Sequence, residues 1–190
     1  MFIRSERLFL RPGWPEDWQE LLAGIGDEAV VRNLAKAPWP YTADHARDFA
    51  GKAQDARLPH FFVTLPGGAQ PGRIVGSVGL GRDEIGAVQL GYWIARDFWG
   101  RGFATEAARA VLRLAKVLGH RRLVANHFAD NPASGRVLRK AGFVPTGRTE
   151  PRFSLARGER APSVLHAIEL GEASDCDGCT TDEAGAMRAA

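Results

Sequence analysis

A strand, a glycine-rich turn and a long amphipathic helix follow one another without interruption in the middle of this chain. The segment Gln89-Leu-Gly-Tyr-Trp-Ile-Ala95 has the pattern of a strand, and Trp99-Gly-Arg-Gly-Phe-Ala104 follows it closely. From 103 to 118, small and aliphatic residues recur at helical spacing up to Gly119. Glycines one residue apart let the backbone approach a ligand. Together with the helix N-terminus behind them, they suit a phosphate or pyrophosphate.

Two well-known phosphate-binding loops are excluded by the residues around these glycines. A P-loop requires Gly-Lys-Ser/Thr, which the chain lacks. A Rossmann loop requires a third glycine and an acid at the end of the following strand, whereas that strand reads Arg121-Arg-Leu-Val-Ala-Asn126. Taken alone, the glycine pattern leaves two readings about equally open, a phosphate site and a tight strand-to-helix turn.

The rest of the chain predicts an α+β domain over 1–170, with a mainly antiparallel mixed sheet flanked by helices. Strands are predicted wherever apolar residues alternate between turn signals, and helices follow capping residues such as Asp27 and Thr42. The predicted strands are 7–12, 60–65, 73–81, 88–95, 121–128, 143–148 and 162–170, and the predicted helices are 15–22, 27–34, 42–55, 103–118 and 132–140.

The charges are distributed unevenly along the chain. The formal net charge is +3, but residues 171–190 carry five acids against one base, which leaves +7 on residues 1–170. We predict a disordered acidic tail over 171–190, in which the Cys176/Cys179 pair is incidental. No metal site is predicted, because a zinc site needs four ligands and the tail holds no histidine.

Composition and charge also narrow the location and the partners. The folded part holds no cysteine, no run of 18 apolar residues is present, and the start of the chain has no apolar signal region. These features predict a cytoplasmic protein with no membrane partner. The basic side chains are scattered and no DNA- or RNA-binding signature is present, so we predict no DNA partner.

Several further motifs occur in a recognisable order. Downstream of the glycine loop lies Asp130-Asn-Pro-Ala-Ser-Gly-Arg-Val-Leu-Arg-Lys-Ala-Gly-Phe143, and upstream lie Ser5-Glu-Arg-Leu-Phe-Leu-Arg-Pro12 and Trp39-Pro-Tyr-Thr42. The chain closes with Ser154-Leu-Ala-Arg-Gly158. Over about residues 3–170 this order resembles the GNAT superfamily of acyl-CoA-dependent N-acetyltransferases. It is most similar to the RimJ/RimL-like branch, which is named for enzymes that acetylate ribosomal-protein N-termini.

The resemblance implies the GNAT fold, whose splayed central strands hold acyl-CoA, and it implies acetyl-CoA as cosubstrate. The pantetheine arm would lie between the strand ending near Ala95 and the strand 121–128. The start of the next helix would face the cofactor through Asn131 and Ser134. The pyrophosphate would bind the backbone amides of Trp99, Gly100, Arg101, Gly102, Phe103 and Ala104.

The resemblance also implies catalytic roles. By motif position, the backbone N–H of Trp93 or Ile94 would donate to the oxyanion. Many GNAT enzymes protonate the thiolate with a tyrosine where this chain has Leu138, and Ser134 is the replacement that we predict. A structural role for Ser134 in satisfying a backbone amide is about equally open. Asn131 is expected to be the helix N-cap in either case.

No general base is evident. The branch often carries a glutamate where this chain has Gln89, which cannot accept a proton. Glu106 fits a partner of the helix dipole better than a base. His127 is a further candidate, but a lone histidine in a strand is more often structural.

The acceptor is expected beside Trp39 and Tyr41, although aromatic residues next to prolines also anchor loops. Arg148, Arg152, Arg157 and Arg160 place positive charge nearby. A solvated hairpin is the favoured interpretation of this charge, and preference for an acidic acceptor is the alternative.

We therefore predict transfer of an acetyl group to a primary amine, either a protein N-terminus such as that of a ribosomal protein or a small molecule. A non-catalytic acyl-CoA-binding regulatory domain and a ribosome- or RNA-associated module stay open as alternatives. A homodimer stays open too, because strand edges in this fold can pair between chains.

Overall fold

The computed structural model describes residues 1–67 and 70–171, in which eight strands form one sheet. The strands are β1 Ile3–Arg4, β2 Phe9–Arg11, β3 His60–Gly67, β4 Gln70–Arg82, β5 Val88–Ile94, β6 Arg122–Phe128, β7 Val144–Ser154 and β8 Glu159–Glu169. Their order in the sheet is β1-β2-β3-β4-β5-β6-β8-β7, and every neighbouring pair is antiparallel except β5 and β6.

Three of the helices in the described residues, α2, α3 and α5, begin at capping residues that the sequence already indicates. Asp27, Thr42 and Asn131 each accept a hydrogen bond from a backbone N–H of the helix that follows. The helix predicted over 42–55 is shorter, because Gly51 ends it and its N–H returns to an earlier carbonyl. The helices are α1 Trp18–Ile25, α2 Glu28–Val31, α3 Ala43–Ala50, α4 Phe103–Val117 and α5 Pro132–Ala141, with 3-10 turns at Pro15–Asp17 and Arg96–Phe98.

The parallel pair β5 and β6 separates soon after it forms. Gln89 and Val124 are the one residue pair in register between them in the described part of the chain. Beyond that pair β5 continues to Ile94 and β6 continues to Phe128 without pairing to each other. The result is a V-shaped opening in the middle of the sheet, and the predicted fold class with splayed central strands is confirmed.

The two faces of the opening differ because side chains alternate along a strand. Tyr92 points to the side of α5, where its hydroxyl contacts Ser134. Gln89, Gly91 and Trp93 point to the opposite side, where the Trp93 ring packs against α1. We call the side that carries Tyr92 the α5 face, and the opposite side, which the hairpin of β7 and β8 covers, the hairpin face.

The β7–β8 hairpin closes over the hairpin face from the far edge of the sheet. β7 is longer than the predicted strand 143–148, because it continues through Glu150 to Ser154. At the tip of the hairpin, the Ser154 hydroxyl donates to the carbonyl of Leu34 at 3.0 Å and the Leu155 N–H donates to the carbonyl of Ala35. These bonds tie the hairpin to the segment after α2.

Two expectations, one on the tail and one on membrane spans, depend on which residues the structure describes. The predicted acidic tail 171–190, with Cys176 and Cys179, lies beyond the described residues except for Gly171. Among the helices that are described, none is both long enough and apolar enough to cross a membrane.

The position of β5 beside β4 depends on a glycine. A Cβ at Gly76 would lie 2.2 Å from the carbonyl oxygen of Trp93, whereas a Cβ at Gly81 on the same strand would meet nothing within 4 Å. We expect Gly76→Ala to cost about 1–3 kcal/mol of unfolding free energy through overpacking. Thermal unfolding should then show a Tm lower by about 2–4 °C per kcal/mol. Gly81→Ala is the matched control and should unfold as the wild type does; equal Tm values for the two variants would contradict the close approach.

Candidate functional site

The glycine loop has a backbone shape that its sequence makes possible. Gly100 and Gly102 have φ angles of 75° and 80°, in the left-handed region that side chains disfavour. Gly102 is also the N-cap of α4. The indole N–H of Trp99 donates to the carbonyl of Ile94 at 2.7 Å, which fixes the loop to the end of β5.

The loop presents backbone donors that have no partner. In the described chain, no backbone N–H from Gly100 to Thr105 donates to another residue, and no side chain caps α4. Unpaired N–H groups at a helix N-terminus attract anions. The Trp99 N–H, which the sequence included in this set, donates instead to the carbonyl of Arg96 at 3.1 Å.

A basic cleft of about 410 Å³ opens beside the loop, between α4, α5 and the N-terminal segment. Arg109 is anchored there, because its guanidinium donates to the carbonyl of Lys140 at 3.1 Å. Sequence reasoning missed this cleft, although the spacing of Arg109 and Arg113, four residues apart on one helix, was an available signal. The residues that line it are Ser5, Glu6, Arg7, Gly102, Thr105, Glu106, Arg109, Arg113 and Lys140.

Glu106 is an anchor for the start of the chain. Its carboxylate accepts hydrogen bonds from the Ser5 hydroxyl and the Arg7 backbone N–H at 2.7 Å each, and from Arg7 Nε at 2.8 Å. Burial works to raise the pKa of Glu106, but the bonds from Arg7 and Ser5 outweigh it and the pKa is lowered. A carboxylate held in its ionised form by these donors is a poor general base.

Ser134 contacts Tyr92, a residue to which the sequence analysis assigned no role. The Tyr92 hydroxyl lies 2.7 Å from Ser134 Oγ, on the α5 face of the opening. The backbone N–H of Ser134 donates to Asn131 Oδ1, so Asn131 is the N-cap of α5 as predicted. Burial raises the pKa of Tyr92 to about 12, although its bond to Ser134 acts in the opposite direction. The tyrosine therefore keeps its proton at neutral pH.

The register of β5 separates the two candidate oxyanion donors. The N–H of Ala95 donates to the carbonyl of Val75 in β4, so N–H groups at alternate residues, including Trp93, also point to β4. The N–H of Ile94 points the other way, into the opening. Its carbonyl, on the same side, accepts the indole N–H of Trp99.

His127 lies on the α5 face, under the start of α5. Its Nδ1 is 2.9 Å from the carbonyl of Phe128, and its ring centroid is 5.3 Å from that of the buried His166. A Cβ at Gly135 would lie 2.6 Å from Nε2 of His127, so a side chain there would require the ring to move. The histidine is thus part of the packing between β6 and α5.

Two aromatic residues that the sequence assigned to acceptor binding lie in the loop before α3. The hydroxyl of Tyr41 donates to the carbonyl of His45 at 3.2 Å, and the tyrosine packs against the core. Trp39 is 39% exposed. Their assignment to acceptor binding stays a prediction.

The four arginines of the hairpin have different partners. Arg157 forms two hydrogen bonds of 2.9 Å to Asp130, and Arg148 pairs with Glu150. Arg160 donates to the carbonyl of Pro151 at 3.2 Å. Arg152 donates to the neutral side-chain oxygen of Gln89 at 3.3 Å, on the hairpin face.

Comparison with protein families and curated proteins gives consistent matches. A family model described as an acetyltransferase (GNAT) domain matches residues 7–144. The uncharacterized N-acetyltransferase YnaD of Bacillus subtilis (strain 168) is 26% identical over 149 residues, which cover 77% of this chain and 85% of that protein. The ribosomal protein uS5-alanine N-acetyltransferase of Escherichia coli (strain K12) is 32% identical over 88 residues, 46% of this chain and 45% of that protein.

Solved structures share the fold. A GNAT-family acetyltransferase from Bacillus anthracis superposes with a TM-score of 0.75 at 25% identity, over 90% of this chain and 99% of that one. RimL, a ribosomal L7/L12 α-N-protein acetyltransferase solved with coenzyme A, has a TM-score of 0.69 at 19% identity, over 89% of this chain and 98% of that one.

The anchor at Glu106 predicts a pH-dependent contribution to stability. Its folded pKa lies below its ordinary value of 4.5, so the stabilisation is present above that value and is lost as the pH falls through the folded pKa. We expect Glu106→Gln to cost about 1–3 kcal/mol at pH 7, as is typical of hydrogen bonds to a charged group. Thermal unfolding of both proteins between pH 7 and pH ~3 should show the Tm difference shrinking over the acid range.

The exposed neighbour Glu6 supplies the matched control. Glu6→Gln should leave the Tm unchanged at every pH. A Tm deficit in Glu106→Gln that stays constant across the pH range would mean that the carboxylate charge contributes nothing.

Proposed function

The chain belongs to the acetyltransferase (GNAT) domain family, and on that premise we propose that it transfers an acetyl group from acetyl-CoA to a primary amine. The family match and the N-acetyltransferase relatives make it an acetyltransferase, and its relatives and structural neighbours include ribosomal-protein N-acetyltransferases of the RimJ/RimL type, which its motifs predicted. The observation that carries the proposed chemistry is the Tyr92–Ser134 hydroxyl pair beside the splayed strands. As part of the proposal, residues 1–170 form the catalytic domain, which works in the cytoplasm.

The structure fits the proposed cosubstrate at three places. The unpaired N–H groups from Gly100 to Ala104 would bind the pyrophosphate. The basic cleft, with the exposed side chains of Arg113 and Lys140, would receive a further phosphate. The opening between β5 and β6 offers unpaired strand edges for an extended, amide-containing arm. The solved RimL structure with coenzyme A supports this assignment by fold.

Acetyl-CoA supplies a thioester that the amine attacks. A C–N bond forms, the C–S bond breaks, and the proton lost by the amine balances the proton gained by the thiolate. The N–H of Ile94 would donate to the thioester oxygen as negative charge develops on it. Ser134 would donate its proton to the thiolate while its Oγ accepts the proton of Tyr92, and water that has taken up the proton of the amine would return one to Tyr92.

No side chain need act as the general base in this proposal. Gln89 has no proton-accepting group at neutral pH, Glu106 is held ionised by Arg7, and His127 is packed under α5. The amine therefore binds as the free base or loses its proton to water. A rate that rises with pH toward the pKa of the acceptor amine follows from this.

The acceptor is a protein N-terminus or a small-molecule amine, bound on the hairpin face near Trp39 and Tyr41. The E. coli relative is named for the alanine of ribosomal protein uS5, so a ribosomal-protein N-terminus belongs among the acceptors to be screened. One alternative function is a domain that binds acyl-CoA and regulates without turnover. It is favoured by Gln89, which cannot act as a general base. A homodimer is compatible with either function.

Removing single hydroxyls tests the proposed mechanism. We expect Tyr92→Phe to lower kcat about tenfold and Ser134→Ala to lower it about a hundredfold, because loss of a positioned proton donor has effects of this order. Acetyl-CoA affinity, measured by calorimetry, should change little in either variant. The double variant should be no slower than Ser134→Ala, because the two hydroxyls act as one unit.

Thr146→Val removes an exposed hydroxyl of β7 that bonds Leu165 and Arg148 but neither Tyr92 nor Ser134, and it is the control, with kcat expected to equal that of the wild type. Unchanged kcat in both Tyr92→Phe and Ser134→Ala would overturn the proposed roles. Binding of acetyl-CoA with no turnover of any amine by the wild type would favour the regulatory alternative.

A further inference from the structure

Arg152, on the hairpin face, has no carboxylate partner among the described residues. It is half-buried, and its Nε is fully buried without a hydrogen-bond partner in the described part of the chain. Its one hydrogen bond, 3.3 Å to the side-chain oxygen of Gln89, is long and goes to a neutral group. An arginine in such a position normally has a carboxylate or phosphate partner, because burial of an unpaired charge is costly.

The other hairpin arginines are engaged elsewhere. Arg157 is neutralised by Asp130, Arg148 pairs with Glu150, and exposed Arg160 bonds a backbone carbonyl. Among the described residues, Arg152 and Arg160 therefore both lack an acidic partner. Of these two arginines only Arg152 is half-buried, whereas the charge of Arg160 is solvated.

Open space lies next to Arg152 along the splayed strand. Gln89, its partner, is the residue at which β5 and β6 last pair, so Arg152 stands at the base of the opening. Two residues further, Gly91 is exposed, and a Cβ there would meet nothing within 4 Å. After two more residues comes Trp93, whose buried indole N–H likewise has no partner within residues 1–67 and 70–171. The hairpin face of the opening, where the acceptor would bind, therefore has two buried donors without a partner among the described residues, Arg152 Nε and the Trp93 indole N–H.

We propose that the acceptor carries a carboxylate or phosphate that binds Arg152, a proposal that rests on the proposed acetyl transfer. The anion would accept hydrogen bonds from the guanidinium, including Nε, and would direct its amine along β5 past Gly91. The neutral side chain of Gln89 leaves the charge of Arg152 available to this anion, whereas a glutamate at position 89 would neutralise it. Arg152 is therefore a specificity-determining residue.

The test compares acceptors that differ only in charge. Two matched pairs are assayed by thiol release: β-alanine against β-alaninamide, and tetrapeptides with aspartate against asparagine as second residue. The preference is the ratio of kcat/KM for the acid to kcat/KM for the amide, and variants are compared through this ratio so that differences in amine pKa cancel. For at least one pair, we expect Arg152→Gln to lower the ratio about tenfold or more, through kcat/KM for the acid.

Two further variants separate charge from structure. Gln89→Glu keeps the size of the side chain and places a carboxylate beside Arg152, so it should lower the ratio about as much as Arg152→Gln. Arg160→Gln removes a hairpin charge that the proposal does not use and should leave the ratio unchanged. Equal ratios in the wild type and Arg152→Gln, or equal losses in Arg152→Gln and Arg160→Gln, would overturn the proposal.

A binding measurement distinguishes failure of this inference from failure of the proposed function. N-acetyl-β-alanine and N-acetyl-β-alaninamide are titrated into wild type and Arg152→Gln by calorimetry in the presence of free CoA. We expect the acid to bind at least about fivefold more tightly than the amide in the wild type only. If this difference is found but no amine is acetylated, the anion site stands and the acetyl transfer fails. If amines are acetylated but neither assay shows a preference that depends on Arg152, the acetyl transfer stands and the anion site fails.

Discussion

The separation of β5 from β6 is the constraint on which the site depends. The two strands pair at Gln89 and Val124 and then diverge, which leaves the edges of both strands without partners in the middle of a sheet. Unpaired strand edges are ordinarily unfavourable inside a fold. Here they line the V-shaped opening between β5 and β6, which is a passage that connects the two faces of the sheet. A ligand that reaches the passage can form the missing hydrogen bonds.

Each face of the passage has a distinct set of groups. On the α5 face, the uncapped start of α4, the basic cleft and the Tyr92–Ser134 pair form a path from phosphate-binding donors to a proton donor. On the hairpin face, Arg152 reaches from β7 of the hairpin to Gln89, and exposed Gly91 lies two residues further along β5. The proposed division of labour follows from this arrangement, because the acyl donor and the acceptor approach one point of the sheet from opposite sides.

Local patterns predicted much of this arrangement. The mixed sheet, the glycine loop and the caps at Asp27, Thr42 and Asn131 follow from alternation, helical spacing and capping chemistry, all of which act within a few residues. The contacts of Glu106 with Ser5 and of Tyr92 with Ser134 could not be predicted in this way. They join residues 101 and 42 positions apart, and only the completed sheet brings them together. The same holds for Arg152, which differs from the other hairpin arginines only in its partners.

Calorimetric titration of the wild-type protein with acetyl-CoA, free CoA and ATP tests the central claim most directly. The loop and the opening together should bind acetyl-CoA and free CoA with micromolar affinity, because each of these ligands carries the pyrophosphate and the pantetheine arm. ATP offers phosphates without the arm and should bind much more weakly. Equal affinity for ATP would mean that the loop binds phosphates without help from the passage. If neither acetyl-CoA nor free CoA binds, the Gly100–Gly102 loop is only a turn and the account of the site is wrong.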